Sequence, residues 1–254
     1  MISIVFSAYN EEATMRELYS QIVSAMRGVK EPYEIIAVNN ASTDKTREEL
    51  LKLSKITVLS IEKNLGQAAG LDAGIRAAKG EIICTLDADL QNDPSDIPAM
   101  WQKIREGYDI VVGWRRDRHD STTRRIFSRV ANFITSVGTG LRLHDYSCGI
   151  KMFKKEYLRD LHLHGVLHVF LPAILHSKGA RIFEIPVRHH ERKFGKSKYT
   201  VLRMSMYVLD LLSVRFRYLY PFPLLPKPRK KRAPYVVLET IRTAHIDEVL
   251  PVRV

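Results

Sequence analysis

Two apolar runs open the pattern, residues 2–9 and 33–39, both rich in the β-branched side chains that suit strands. Between them Leu18, Ile22, Val23 and Met26 recur at helical spacing, so residues 11–28 are predicted as a helix ending at Gly28. Ser42, Thr43 and Asp44 then offer capping side chains for a helix running to Leu53. The alternation continues with a strand at 56–61, an Ala-rich helix at 66–79, a strand at 81–86, a helix at 94–106 and a strand at 109–113. Strands separated by helices imply an α/β fold, a largely parallel sheet covered on both faces. Ligands of such sheets bind beyond the carboxyl ends of the strands.

Past residue 115 the pattern changes. Residues 124–137 form a basic amphipathic helix candidate, 149–154 and 180–187 read as strands, and a helix over 156–178 lies between them, with breaks expected at Gly165 and Pro172. Residues 200–220 are largely apolar, and Arg203, Asp210 and Arg217 recur every seventh residue. That leaves one narrow polar stripe on a broad apolar face, the pattern of a helix lying on a membrane or a core. The Pro-rich and then basic PFPLLPKPRKKRAP follows, and the last twenty residues carry no readable pattern.

Composition adds one strong fact. Forty Lys and Arg against 28 Asp and Glu give a net charge of +12, which favours phosphate-bearing partners or an anionic membrane. Two cysteines, Cys84 and Cys148, exclude a disulfide framework and are expected as buried thiols in a reducing compartment. The N-terminus lacks a basic n-region, so no signal peptide is expected. Nor is there a run of about 18 apolar residues, so no ordinary transmembrane helix is expected.

The polar clusters fall behind the predicted strands: Asn10, Glu11 and Glu12 after the first, residues 39–44 after the second, residues 87–91 after the fourth, Trp114 and Arg115 after the fifth. The stretch CTLDADLQNDP is the most acidic of these in a basic chain. In an extended segment Asp87 and Asp89 point to one side. Paired carboxylates of this kind bind a divalent cation whose remaining ligands are phosphate oxygens and water; a solvated acidic loop or a helix cap before Pro94 is the alternative. His162, His164 and His168 do not share a helix face, which argues against a zinc site. No G-x-G-x-x-G follows the first strand, which disfavours a dinucleotide-binding dehydrogenase. A nucleic-acid-binding protein is suggested by charge alone, and no nucleic-acid partner is expected.

FSAYNEE, VNNASTDKT, NLGQAAGLDAGIRAAKGEIICTLDADLQNDP, VVGWRRDR, DYSCGIKMFKK and HHERKFGKSKY occur in that order. Together they resemble the family 2 glycosyltransferases of GT-A fold. More narrowly they resemble the polyprenyl-phosphate sugar transferases, the dolichol-phosphate mannose synthase and undecaprenyl-phosphate glycosyltransferase group, over residues 1 to about 200. The resemblance implies a Rossmann-like, mostly parallel sheet flanked by helices, with C-terminal amphipathic interface helices. Residues 1–115 would form the nucleotide-sugar half, 116–200 the acceptor half, and 201–254 an amphipathic helix and basic tail at the membrane.

The implied reaction moves a hexose with inversion from a UDP- or GDP-sugar to a polyprenyl phosphate. Asp87, Asp89 and Gln91 would hold Mg2+ or Mn2+ and the donor diphosphate; Ala8, Tyr9, Glu11, Asn40, Asp44 and Gln67 would contact the donor. Arg124 and Ser128, four apart on a helix, would grip the acceptor phosphate. Arg192, Ser197 and Lys198 match a loop that closes over both phosphates, with Gly195 giving it mobility. Asp89, Arg115 and Asp145 would be catalytic, Asp145 orienting a hydroxyl, acting as base or capping a turn. His168 and Glu184 would support the acceptor side. Many relatives carry an acidic pair where this chain has Asn39 and Asn40; an amide both donates and accepts, so the choice between uracil and guanine stays open, as does simple turn formation. A peripheral position on the cytoplasmic face of a membrane is implied, through residues 200–220 and the KPRKKR patch or with a small membrane subunit or homo-oligomer. A soluble transferase with a glycan or other hydroxyl acceptor is the competing expectation.

Overall fold

The structure is a computed structural model that describes residues 1–117, 122–191, 211 and 235–243, with backbone alone for 122–127. The first strand, β1 (Ile2–Ala8), and β2 (Tyr33–Asn39) flank α1 (Met15–Met26). Next come α2 (Thr46–Leu51), β3 (Ile56–Ile61), α3 (Gln67–Ala77) and β4 (Ile82–Asp87). A short 3-10 turn, Pro94–Asp96, leads into α4 (Ile97–Arg105), then β5 (Ile110–Trp114) and the long α5 (Thr122–Thr139). The second half adds β6 (Lys151–Lys154), α6 (Leu167–Ser177), β7 (Ile182–Pro186) and β8 (Val237–Arg242).

The strands form one eight-stranded sheet in the order β7-β5-β6-β4-β1-β2-β3-β8. Four pairings are parallel, β1 with β2 and β4, β2 with β3, and β5 with β7. The other three, β4–β6, β5–β6 and β3–β8, are antiparallel. β6 therefore runs backwards between β4 and β5. The chain entering β6 at residues 145–150 passes the same rim from which β4 and β5 exit, and this brings the two halves of the sequence together at one edge.

One core packs α1 and α4 against one face of the sheet; the other packs α3 and α6 against the opposite face. On α1 the buried positions are Met15, Leu18, Ile22 and Met26, a single stripe worth about 1.5–3 kcal/mol per side chain. On α3 glycine decides the packing distance. A Cβ on Gly70 would overlap Ser7 Oγ, and one on Gly74 would overlap the Val5 side chain, so both glycines let the helix lie directly on β1. Cys84 and Cys148 are free thiols, both buried.

Two sequence expectations need correction. The helix expected over 156–178 is shorter: a 3-10 turn at Lys155–Leu158 and a loop with Gly165 at φ 55° precede α6. Pro172 lies inside α6 rather than breaking it. A mid-helix proline costs about 3 kcal/mol, but α6 buries Phe170, Leu171, Ile174 and Leu175 around it, which offsets that loss. The pattern at the end of the chain also gave no hint of β8, which pairs with β3.

Candidate active site

The exits of the parallel strands line up across the sheet, Ala8 opposite Asn39 and Ser7 opposite Asp87. The loops leaving β1 and β2 interlock. Asn10, at φ 55°, accepts from Thr43 N at 2.8 Å and donates to Thr43 Oγ1 at 3.2 Å. Asp44 accepts from Thr46 N at 3.0 Å, from Thr46 Oγ1 at 2.5 Å and from Glu12 N at 3.3 Å. Glu11 N donates to Thr46 Oγ1 at 2.8 Å. Asp44 thus ties the start of α2 to the first loop. Tyr9, Glu11 and Asp44 all stand half-buried on this wall.

The two asparagines behave differently. Asn39 accepts from Ser42 N at 3.1 Å across Ala41 at φ 56°, a side-chain-closed turn. Asn40 is 2 % exposed; its Nδ2 donates to Gly66 O at 3.0 Å, and its Oδ1 is buried without a hydrogen-bond partner. Asn40 therefore pins the start of α3, where Gln67 donates through Nε2 to Asp87 Oδ1.

Asp87 closes β4 over the backbone of Gly149, where a Cβ would overlap its carboxylate. Burial and the neighbouring Asp89 push the Asp87 carboxyl up to about 6, against the opposing pull of Lys151 and Arg115. Leu90, at φ 61°, turns the chain so that Gln91 N donates to Asp89 Oδ1 at 3.2 Å. Gln91 O in turn accepts from His190 N at 2.9 Å, which brackets this loop with the 189–190 segment. Asp93 has a separate role: it accepts from Ser95 N at 2.9 Å, capping the turn before α4, and its other oxygen lies 3.1 Å from His190 Nε2.

Arg115 leaves β5 toward the chain entering β6. Its Nε donates to Asp145 Oδ2 at 2.6 Å, and its Nη2 to Asp145 Oδ1 at 2.9 Å and Ser147 Oγ at 2.7 Å. The pair is nearly enclosed, with side chains 13 % and 3 % exposed. Hydrogen bonding to Asp145 holds the guanidinium charged against the opposing effect of burial. A carboxylate gripped on both oxygens by a guanidinium is a poor base; its arrangement suits it to aiming Arg115.

Sequence reasoning passed over three groups here. Lys151 is 3 % exposed and donates to Cys148 O; burial lowers its pKa. Its place in β6 is opposite Thr85, two residues before Asp87. Gly149 makes room for Asp87, as above. His144 stacks on Trp114, with ring centroids 4.2 Å apart, and its Nδ1 lies 2.7 Å from Glu184 Oε2. Glu184 also accepts from the backbone N–H of His144 and Asp145 at 2.9 Å each, so it braces the segment that presents Asp145. A lysine inside an otherwise apolar strand, GIKMF, was the signal that could have marked Lys151, whereas Glu184 was already among the expected residues.

Ser128 lies half-buried on α5, four residues beyond Arg124 in the same helix. The Arg124 side chain, Arg192, Gly195, Ser197, Lys198, residues 200–220 other than Leu211, and the KPRKKR patch lie outside the described residues. His168, on α6, is held neutral by burial and the nearby Lys151, its pKa pushed down to about 3. His162 Nδ1 lies 2.8 Å from the buried Asp72.

The donor set suits a hard divalent cation. Among the described residues no three His, Cys, Asp or Glu side chains gather as a ligand cage. Asp87 and Asp89, two carboxylates that repel each other on a glycine cradle, match the one or two protein oxygens that a diphosphate-bound Mg2+ or Mn2+ takes.

The family described as glycosyl transferase family 2 matches residues 3–162. The chain belongs to that family. Among curated relatives of this family 2 chain, the dodecaprenyl-phosphate galacturonate synthase of Rhizobium johnstonii is 38 % identical over 224 residues, covering 85 % of this chain and 66 % of the relative. The undecaprenyl-phosphate 4-deoxy-4-formamido-L-arabinose transferase of Edwardsiella ictaluri is 34 % identical over 218 residues, 84 % of this chain and 67 % of the relative. The chain thus spans about two thirds of the length of these relatives. Among solved structures, mannosyl-3-phosphoglycerate synthase from Rubrobacter xylanophilus matches with a TM-score of 0.69 at 17 % identity, over 90 % of this chain and 78 % of that one. Glucosyl-3-phosphoglycerate synthase from Mycobacterium tuberculosis, in complex with Mn2+, UDP and glucosyl-3-phosphoglycerate, matches at 0.65 and 19 % identity, over 85 % and 79 %. The α/β, GT-A architecture expected from sequence is the one observed.

Proposed function

We propose that this family 2 chain transfers a glycosyl group, a hexose in the simplest case, from a UDP- or GDP-linked sugar to a polyprenyl phosphate. The observation that carries the reading is the rim itself. Asp87 and Asp89 stand at the end of β4, and the nearly enclosed, aspartate-aimed Arg115 stands at the end of β5. Its support from relatives is that both curated proteins named above act on polyprenyl phosphates by their names.

Asp87 and Asp89 would hold Mg2+ or Mn2+ together with the donor diphosphate, and Gln91 would sit beside them. When bound, the cation supplies Lewis-acid stabilisation of the leaving diphosphate. A phosphate oxygen of the acceptor forms a bond to the anomeric carbon as the bond from that carbon to the nucleoside diphosphate breaks. The nucleophile is already an anion near neutral pH, so no proton need be removed. Alignment and charge stabilisation then provide most of the acceleration. Gln67 orients the Asp87 carboxylate, and Asp145 holds Arg115 toward the charge developing at the rim. A hydroxyl acceptor would need a base instead, and the Asp145 carboxylate is held on both oxygens by Arg115.

A lipid-borne acceptor places the protein at a membrane surface. Among the described residues no helix is long and apolar enough to cross a membrane. Peripheral attachment through residues 200–220 and the basic patch is part of the proposal, each basic side chain near anionic lipid contributing about 1 kcal/mol.

The test offers labelled UDP- and GDP-sugars with undecaprenyl phosphate and Mn2+ and follows label into the organic phase. Label should enter the lipid, and Asp89→Ala should reduce transfer by about a thousand-fold, the scale of a removed charge-stabilising group. Full transfer by Asp89→Ala, or transfer only to sugar or hydroxyl acceptors, would sink the reading.

A further inference from the structure

The outer face of α1 carries Arg16, Tyr19, Val23 and, at its C-cap, Arg27, residues three and four apart. This face and the end of α2, Lys52 to Ser54, enclose a cleft of about 580 Å³. Tyr19 fastens the two walls by donating to Ser54 O at 2.7 Å. Val23 and Leu53 give the cleft apolar surface, Arg16, Arg27 and Lys52 border it, and no acidic side chain lines it. Among the described residues the acid paired with this border is Glu49, which meets Lys52 and, at 3.7 Å, Arg16. Two of the three basic groups share it.

The last strand delivers the chain to the same place. β8 runs antiparallel to β3 and ends beside the start of that strand. Thr243 N donates to Ile56 O at 2.9 Å, and Ile56 N donates to Thr243 Oγ1 at 3.0 Å. Ser54 stands two residues before Ile56, at most about 7 Å of chain. β8 is already tied to α2, since Glu239 accepts from Arg47. The residues past Thr243 read AHIDEVLPVRV and lie outside the described residues. They hold two acids, Asp247 and Glu248, with apolar Ile246, Val249 and Leu250 around them. Four residues of extended chain span about 14 Å, which lets Asp247 reach the cleft from Thr243. An acidic and apolar segment that starts beside a basic cleft with apolar surface matches it in both respects.

We propose that residues 246–250 fold back into this cleft, Asp247 and Glu248 meeting Arg27 and Lys52 while the apolar neighbours cover Val23 and Leu53. The chain then fastens its own edge strand. The C-terminal segment holds α2 at both ends, at Arg47 through Glu239 and at Lys52 through the acidic pair. Because Asp44 and Thr46 tie the start of α2 to the first loop, this clasp braces one wall of the candidate site without touching substrate. A docked tail requires neither a particular sugar nor a particular acceptor, so it stands apart from the polyprenyl-phosphate reading.

The test is a charge-swap cycle on the whole chain, read by its thermal midpoint at low ionic strength. Asp247→Lys with Glu248→Lys should lower the midpoint by about 3 °C, on a scale of about 2–4 °C per kcal/mol for a chain of this size. Arg27→Glu with Lys52→Glu should lower it as well. All four changes together should restore about 2 °C or more relative to the sum of the separate shifts, and high salt should shrink that restoration. Additive shifts overturn the proposal. A restoration that grows with protein concentration places the tail of a second copy in the cleft, which overturns it too. If ending the chain after Thr243 leaves the midpoint unchanged while inorganic phosphate raises it, the cleft is an open anion site that the tail does not fill, and the proposal fails.

Discussion

The two sides of the rim use carboxylates in opposite ways. On the β1, β2 and β4 side, Asp44 and Asp93 are taken up by backbone N–H groups at helix starts, and Asp87 and Asp89 form an acidic pair whose charges repel each other. On the β5, β6 and β7 side, acids hold basic or aromatic groups in place: Asp145 grips Arg115, and Glu184 braces His144. The first arrangement concentrates negative charge that a cation would relieve. The second leaves positive charge aimed at an anion. A reaction between two phosphate-bearing molecules needs both, and one antiparallel strand, β6, is what sets them side by side.

The comparison can be broken most severely on the second side. Asp145→Ala would leave the Arg115 guanidinium nearly enclosed without its partner, and loss of one member of such a pair costs about 3–5 kcal/mol. Urea unfolding should show it, while Arg115→Met with Asp145→Asn should recover most of the loss. A small effect of the single change would mean that the pair is not the brace described.

Next in size come two pH responses of opposite sign. The Asp87 carboxyl is raised in the fold to about 6, so its contribution to stability is intact below about pH 4 and lost as pH rises through 6. His168 is lowered to about 3, so the unfolded chain takes its proton first; its contribution is intact above about pH 6.5 and lost as pH falls toward 3. Each group changes the stability slope by at most about 1.4 kcal/mol per pH unit within its window. In chelator, Asp87→Asn should remove the loss on raising pH, and His168→Gln the loss on acidification. Parallel slopes in wild type and variants would contradict the assignment.

The smallest effect lies away from the rim. Glu239 on β8 accepts from Arg47 at 2.5 and 2.8 Å and from Ser60 Oγ at 2.9 Å, in a partly exposed setting. Glu239→Gln should lower stability by about 1 kcal/mol in a denaturant titration and leave label transfer unchanged. Loss of transfer would extend the acidic side of the comparison out to the sheet edge.

Much of the β1, β2 and β4 side was legible along the chain. Apolar periodicity marked β1 to β5, and strand exits marked where Asp87, Asp89 and Arg115 would meet, because both signals depend on residues near one another in sequence. The β5, β6 and β7 side was less legible. The partners of Arg115 lie thirty or more residues away, Glu184 lies forty from His144, and nothing local specifies that β6 turns back between β4 and β5.

The sequence by itself settled the α/β alternation, the family and the acidic rim, since periodicity, turn residues and ordered motifs are written in short windows. The tertiary structure decided which carboxylate is taken up by an arginine. Asp145 looks like Asp87 and Asp89 as a letter, and only the Arg115 guanidinium that folding brings to it from thirty residues away separates it from them. It also decided that β8 joins the sheet through Arg47 and Glu239, 192 residues apart, because an edge strand is defined by the edge it finds.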